Sequence, residues 1–219
     1  MKPNRNYIGY VKGKDGKFYA HYLKCNNVGW YVVLDDGRKT RMGGDSSFLD
    51  YWAVSDAEAP AELVAAVGQK IMFARQKEEK YRRAREAIQE AARALTGSGR
   101  IERGTVHTTA DGLQVYVYRI YLAAVNAQAG TISLKLEMRC QSAQDDAVFI
   151  DITPDEAWFR QTFPDDASDF YERVDIYKSG GRRVSSQNVS YGYGVVLRHE
   201  YYLMPDGKTK EMTTSIGRD

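Results

Sequence analysis

In this 219-residue chain, side chains suited to catalysis are scarce and side chains suited to binding are plentiful. His21, His107 and His199 are its three histidines. They show no H-x-H, HExxH or Cys/His ligand spacing, so each reads as structural and metal chemistry through imidazole is not expected. His199 stands beside Glu200 on a predicted strand, where adjacent side chains point to opposite faces, so these two do not make a dyad. No GxSxG nucleophile motif is present. Cys140 closes the apolar face of a predicted strand and reads as core, while Cys25, beside Lys24 in a predicted loop, reads as an ordinary thiol. Two cysteines in so long a chain argue against a disulfide framework and against a zinc cluster built on cysteine alone. No catalytic residue, metal ligand or cofactor is assigned from these patterns.

Carboxylates are concentrated in residues 145–175, where ten acids meet only Arg160 and Arg173. A carboxylate-metal hydrolase or nuclease would need two or three of them converging with a lysine. Glu137, Met138 and Arg139 supply only half of an ExK pattern, with Asp151 and Asp175 as the further candidates. An acidic surface that docks a basic protein partner would draw on Asp165, Asp166 and Asp169. The plainest use leads: Asp155, Glu156, Asp165 and Asp166 stand at predicted helix starts, where they complement the helix dipole. Ser179, Gly180, Gly181, Arg182 and Arg183 combine flexible amides with two guanidiniums suited to a phosphate or carboxylate, although a solvated hairpin tip is the plainer reading. The glycine pairs at 97–99 and 192–194 lack phosphate-loop spacing and read as linkers or turns.

Cations gather elsewhere. Residues 1–44 carry a net charge of +6, residues 45–68 of -5, residues 69–104 of +5 and residues 105–219 of -4, so the overall +2 is cancellation. Lys77, Lys80, Arg82, Arg83 and Arg85 crowd one helical stretch, and Lys17, Arg38 and Lys39 decorate the N-terminal region among aromatics that include Tyr19 and Trp30. Phosphate needs such cations, and exposed rings stack on unpaired bases. The alternative is that the rings are core and that Glu78, Glu79, Glu86 and Glu90 neutralise the helix at i,i+3 and i,i+4.

The elements that must position these groups form an α+β pattern. Residues 1–54 read as a small antiparallel, barrel-like β module, with Asp-Gly turn signals at residues 15–16 and 36–37. Residues 55–96 read as a long helix, opened by a Ser55/Glu58 capping box and stopped at Gly97. Val67, Ala74, Tyr81, Ile88 and Leu95 fall seven apart, which suits a bridging helix or the seam of a homodimer across residues 67–95. A glycine-rich linker at 97–104 leads to a larger β-rich α+β domain over 105–219. There, residues 131–140 alternate apolar and polar without a break, and 113–125, 148–152, 175–178, 195–204 and 208–216 read as further strands. Thr153, with Pro154 and Glu156 after it, reads as the cap of a short helix ending at Phe163.

No apolar run approaches a membrane span and no export signal opens the chain, so a cytoplasmic address is the expectation. The expected function is a non-catalytic binding protein that engages nucleic acid or a nucleoprotein complex through the basic N-terminal module and helix. The alternative is a protein-directed inhibitor or adaptor, of the kind a phage or mobile element carries against a host defence, acting through the acidic C-terminal surface. A carboxylate-metal nuclease is the third reading.

Overall fold

A computed structural model describes residues 7–22, 30–33, 39–42, 51–140, 144–191, 193 and 195–218. The chain is of the α+β class and divides into two compact units, Met1–Arg83 and Ala84–Asp219. The first contains an antiparallel sheet of β1 (Gly9–Gly13), β2 (Phe18–Tyr22), β3 (Trp30–Val33), β4 (Lys39–Met42) and β5 (Tyr51–Val54), in the order β4-β3-β2-β1-β5. The module expected to be barrel-like is an open sheet, in which no barrel is closed. Gly16, at φ of 79°, allows the tight β1–β2 turn.

Helix α1 (Ala61–Thr96) follows. Ser55 and Glu58 do bond, the Ser55 amide donating to Glu58 Oε2 at 2.7 Å, although the helix itself begins at Ala61 just after Pro60. In the first unit α1 presents Leu63, Val67 and Ile71, one turn apart, to Tyr10 and Ala20 of the sheet. Arg75 reinforces this packing by donating to both Asp56 carboxylate oxygens at 2.7 and 2.8 Å and to the Ile8 carbonyl at 3.1 Å. In the second unit Ala84, Ala87, Ile88, Ala91 and Ala92 join another core. Residues 72–83, about 18 Å of helix at 1.5 Å per residue, bury no side chain fully. Several positions of the heptad series are therefore covered within their own units: Val67 in the first, Ile88 in the second.

The second unit holds two antiparallel sheets. One runs β6 (Val106–Thr108), β7 (Gln114–Asn126), β8 (Thr131–Cys140) and β9 (Gln144–Ile152) in that order. Its inner face packs Ile132, Leu134, Leu136, Met138 and Cys140 against the α1 alanines and against α2 (Glu156–Thr162) and α3 (Pro164–Lys178). The other is β10 (Arg182–Ser190), β11 (Val195–Leu203) and β12 (Thr209–Arg218), with Tyr202 and Met212 against Ile176 of α3. Residues 97–104 contribute Ile101 to the core and donate the Gly104 amide to the Val117 carbonyl at 2.8 Å.

Three local expectations are corrected. The cap of α2 is Asp155 rather than Thr153: its carboxylate accepts the Trp158 amide at 2.9 Å while its own amide is held by the Gly99 carbonyl. Residues 175–178 are the last turn of α3 rather than a strand, because Ala167, Phe170, Val174 and Tyr177 recur at three and four residues on one face. The segment from Ser179 to Gly181 is a helix terminus rather than a hairpin tip. Gly180, at φ of 82°, lets its amide reach the Tyr177 carbonyl and the Gly181 amide reach that of Ile176, closing a Schellman motif.

Candidate functional site

Burying alternate residues of β8 turns Ser133, Lys135, Glu137 and Arg139 to the outer face of its sheet. The register extends them into rows across the strands: Val106 and Tyr116 with Arg139 and Asp145, Arg119 with Glu137 and Ala147, Tyr121 with Lys135 and Phe149, and Ser133 with Asp151. The register of β7 on β8 shifts between Val117 and Arg119, so Tyr118 is the extra residue of a bulge. Three guanidiniums surround its ring, with Arg139, Arg119 and Arg103 centred 4.9, 5.0 and 5.7 Å from the ring centre. The Lys135 ammonium lies 5.7 Å from the Tyr121 ring. Arg119 also donates to the Tyr121 hydroxyl at 3.4 Å and stands 3.7 Å from Glu137. Phe149 is 68% exposed on the same face. Attraction to a ring consumes none of the five N–H donors of a guanidinium, although Arg119 also directs donors to Tyr121 and Glu137.

A second polar site, also within the second unit, is organised differently. Glu200 on β11 has a side chain only 4% exposed. It accepts Arg173 Nε at 2.7 Å, Arg183 Nη1 at 2.8 Å and the Tyr202 hydroxyl at 3.3 Å. Arg173 further donates to the Asp169 carbonyl at 3.2 Å and to the Thr214 hydroxyl, which ties α3 to β11 and β12. Burial opposes ionisation of Glu200, but the hydrogen bonds from Arg183 and Arg173 prevail and hold its carboxyl below the ordinary range. Burial, followed by the charge of Glu200, pushes the Tyr202 hydroxyl up to about 12. Above this linkage opens a cleft of about 790 Å³ with Asp165, Asp166 and Asp169 on one wall and Arg183 and Arg198 on another. Burial, together with the charges of Asp165 and Asp169, raises the Asp166 carboxyl above its ordinary value.

The remaining residues singled out from sequence are scattered. Tyr19 is 7% exposed, donates its hydroxyl to Asp15 and packs edge-on to Tyr51, so its ring belongs to the packing of the first unit. Lys17 is exposed at the β1–β2 turn. Trp30 and Lys39 lie on β3 and β4, whose side chains fall outside the described residues, as do Arg38 and Cys25 altogether. On α1, Lys77 sits 5.5 Å from the Tyr81 ring, Arg82 pairs with Glu79 at 2.7 Å, and Lys80, Arg83 and Arg85 are exposed. Arg182 is exposed at the start of β10.

The histidines are each engaged. The His21 Nδ1 contacts the Tyr7 carbonyl and burial lowers its pKa, while His107 Nε2 is 3.5 Å from Glu90. His199 Nδ1 lies 2.8 Å from Glu211 Oε1, with Thr213 also in contact. The partner of His199 is thus across the hairpin rather than next in sequence. Glu200 turns inward on the opposite face, as strand alternation requires. Among the described residues no group of three or more His, Cys, Asp or Glu is arranged to hold a metal ion. Glu137 and Asp151 share the outer face but sit four residues apart in register, about 13 Å at 3.3 Å per residue, and Asp175 is on α3. No helix among the described residues is long and apolar enough to cross a membrane.

The outer face escaped the sequence reading because its rings and cations come from a turn and three strands that only the fold brings together. The available signal was the alternation itself: once residues 132, 134, 136, 138 and 140 are assigned inward, Lys135 and Arg139 must face out beside whatever β7 and β9 place opposite. Compared with known proteins, the chain matches no family model, no curated protein and no solved structure.

Proposed function

We propose that this protein binds single-stranded nucleic acid on the outer face of the β6–β9 sheet. The observation that carries the reading is the gathering of Arg103, Arg119 and Arg139 around the ring of Tyr118, on an open face that also exposes Tyr121 and Phe149. Rings on a sheet stack with unpaired bases whatever their identity, and guanidiniums beside them contact the phosphates that link those bases. A duplex hides its base faces, so a single strand is the better fit. The basic stretch of α1 adds a general attraction to phosphate, diminished where Arg82 is spent on Glu79 and Arg75 on Asp56.

The test is fluorescence anisotropy of labelled single-stranded and duplex oligonucleotides over a salt series, with the wild type and Tyr118→Ala. Binding should favour the single strand and weaken with salt. Loss of Tyr118 removes the ring that gathers the three guanidiniums and should reduce affinity by roughly fivefold to a hundredfold, a loss comparable to that of one stacked base. Equal affinity of the two proteins would remove the reading.

A second reading rests on the cleft beside Glu200, where Asp165, Asp166 and Asp169 line one wall. There the protein would be an inhibitor or adaptor that captures a basic protein partner. Charge reversal of those three aspartates would abolish capture under this reading and leave nucleic-acid binding intact under the first.

A further inference from the structure

β7 has a neighbour on its outer side for only part of its length. Among the described residues, β6 pairs with Gln114, Val115 and Tyr116, and the Gly104–Thr105 turn bonds Val117 at 2.8 and 2.9 Å. From Arg119 onward no described strand continues that side of the sheet. A cleft of about 650 Å³ opens along this edge, with Ile120 and Trp158 on its apolar surface and Glu102, Arg103, Gln161 and Thr162 among its polar lining. Its apolar part is held in place: the Trp158 indole N–H is committed to the Ile101 carbonyl at 3.1 Å, and its ring packs edge-on to Phe163.

Arg119 and Tyr121 line this cleft and also belong to the aromatic face, so a strand crossing the face reaches the cleft without a gap. Apolar surface for a ring, hydrogen-bonding groups about it and cations for the flanking phosphates are the requirements of a site for one displaced nucleobase. Gln161 and Thr162 both donate and accept hydrogen bonds, whereas the ionised Glu102 carboxylate only accepts. Adenine and cytosine carry an exocyclic amine, N6 or N4, that can donate to such a carboxylate. Thymine and uracil carry the O4 carbonyl, and guanine the O6 carbonyl, at the corresponding position, which a carboxylate repels.

We infer that the cleft at the open edge of β7 is a base-selective subsite that seats an unpaired adenine or cytosine, with Glu102 as the residue that discriminates it from thymine or uracil. The inference rests on the proposed binding of single strands. Glu102 is well exposed, its side chain 66% accessible beside Arg100, so Glu102→Gln keeps the fold while adding a donor where only an acceptor stood.

The experiment measures affinities of the full chain for dA12, dC12 and dT12 by anisotropy, for the wild type and Glu102→Gln. The wild type should bind dA12 and dC12 about tenfold more tightly than dT12, within the range set by one good base contact. Glu102→Gln should bring the three within about twofold while leaving the salt dependence unchanged. Wild-type affinities already within twofold, or a preference that persists in Glu102→Gln, would overturn the subsite and leave single-strand binding standing. No binding of any oligonucleotide at low salt would overturn both.

Discussion

Arginines converge at two places among the described residues of the second unit, the outer sheet face and the Glu200 linkage, and the two use arginine in opposite ways. Around Glu200, Arg173 and Arg183 are spent on a carboxylate that is almost wholly buried, and the result is a brace joining α3 to β11 and β12. Around Tyr118, three guanidiniums meet a ring that can attract their charge but cannot accept their hydrogen bonds in the plane. Both clusters look alike as composition. What separates them is burial and the partner's chemistry: a buried carboxylate takes up the donors of its arginines, whereas a tyrosine ring draws arginines together on a solvent-facing surface without itself accepting their in-plane hydrogen bonds.

The comparison breaks most visibly at Glu200. Glu200→Ala leaves Arg173 largely buried without its closest carboxylate, with Asp169 at 4.0 Å as the remaining one, and urea unfolding should show a loss of about 3 kcal/mol, the lower end for a broken buried pair. The acid dependence has a definite sign. Because the Glu200 carboxyl is held below its ordinary value in the folded protein, its contribution is complete above that ordinary value and disappears as pH falls through the lowered one. Wild type and Glu200→Gln should therefore converge in stability under acid.

Phe149→Ala probes the other side. An exposed ring contributes little to the core, so thermal stability should hold while affinity for single strands falls about tenfold, measured by anisotropy. Neutralising Lys80, Arg82, Arg83 and Arg85 to Gln should weaken binding at physiological salt by about threefold or less, since screening limits exposed charges that do not touch the ligand. A larger loss there than at Phe149 would move the interface to α1. The smallest effect is expected at Asp166→Asn. Burial and the charges of Asp165 and Asp169 raise the folded pKa of Asp166, so its ionised form carries a cost at neutral pH that is relieved as pH falls through that value. Asp166 is exposed, and solvent screens these charges, so calorimetry should find the variant more stable at neutral pH by only about 0.5 kcal/mol or less, with the gain gone below the carboxylate range.

Elements whose pattern is local were legible in the sequence. Unbroken alternation locates β8 over Thr131–Cys140, and a long run of good helix formers ending before Gly97 locates the end of α1. Asp165 and Asp166 marked the start of helix α3, but its last turn, residues 175–178, was read as a strand because Ile176 and Tyr177 favour strands in isolation. The candidate site was less legible than the fold. Arg103 lies in a turn, Tyr118 at a bulge, Arg139 on β8 and Phe149 on β9, and their meeting depends on register between strands. The aromatic and basic residues of the N-terminal region attract notice because they are interleaved, yet Tyr10 and Tyr19 are both buried in that unit. Interleaving along the chain does not distinguish rings that fill a core from rings that line a surface.

The most direct test of where the ligand sits is ultraviolet cross-linking of the full chain to a single-stranded oligonucleotide, with the modified peptides located by mass spectrometry. Adducts are expected on Tyr118, Tyr121 and Phe149. Adducts confined to residues 72–85 or to the N-terminal sheet would contradict binding on the outer face of the β6–β9 sheet.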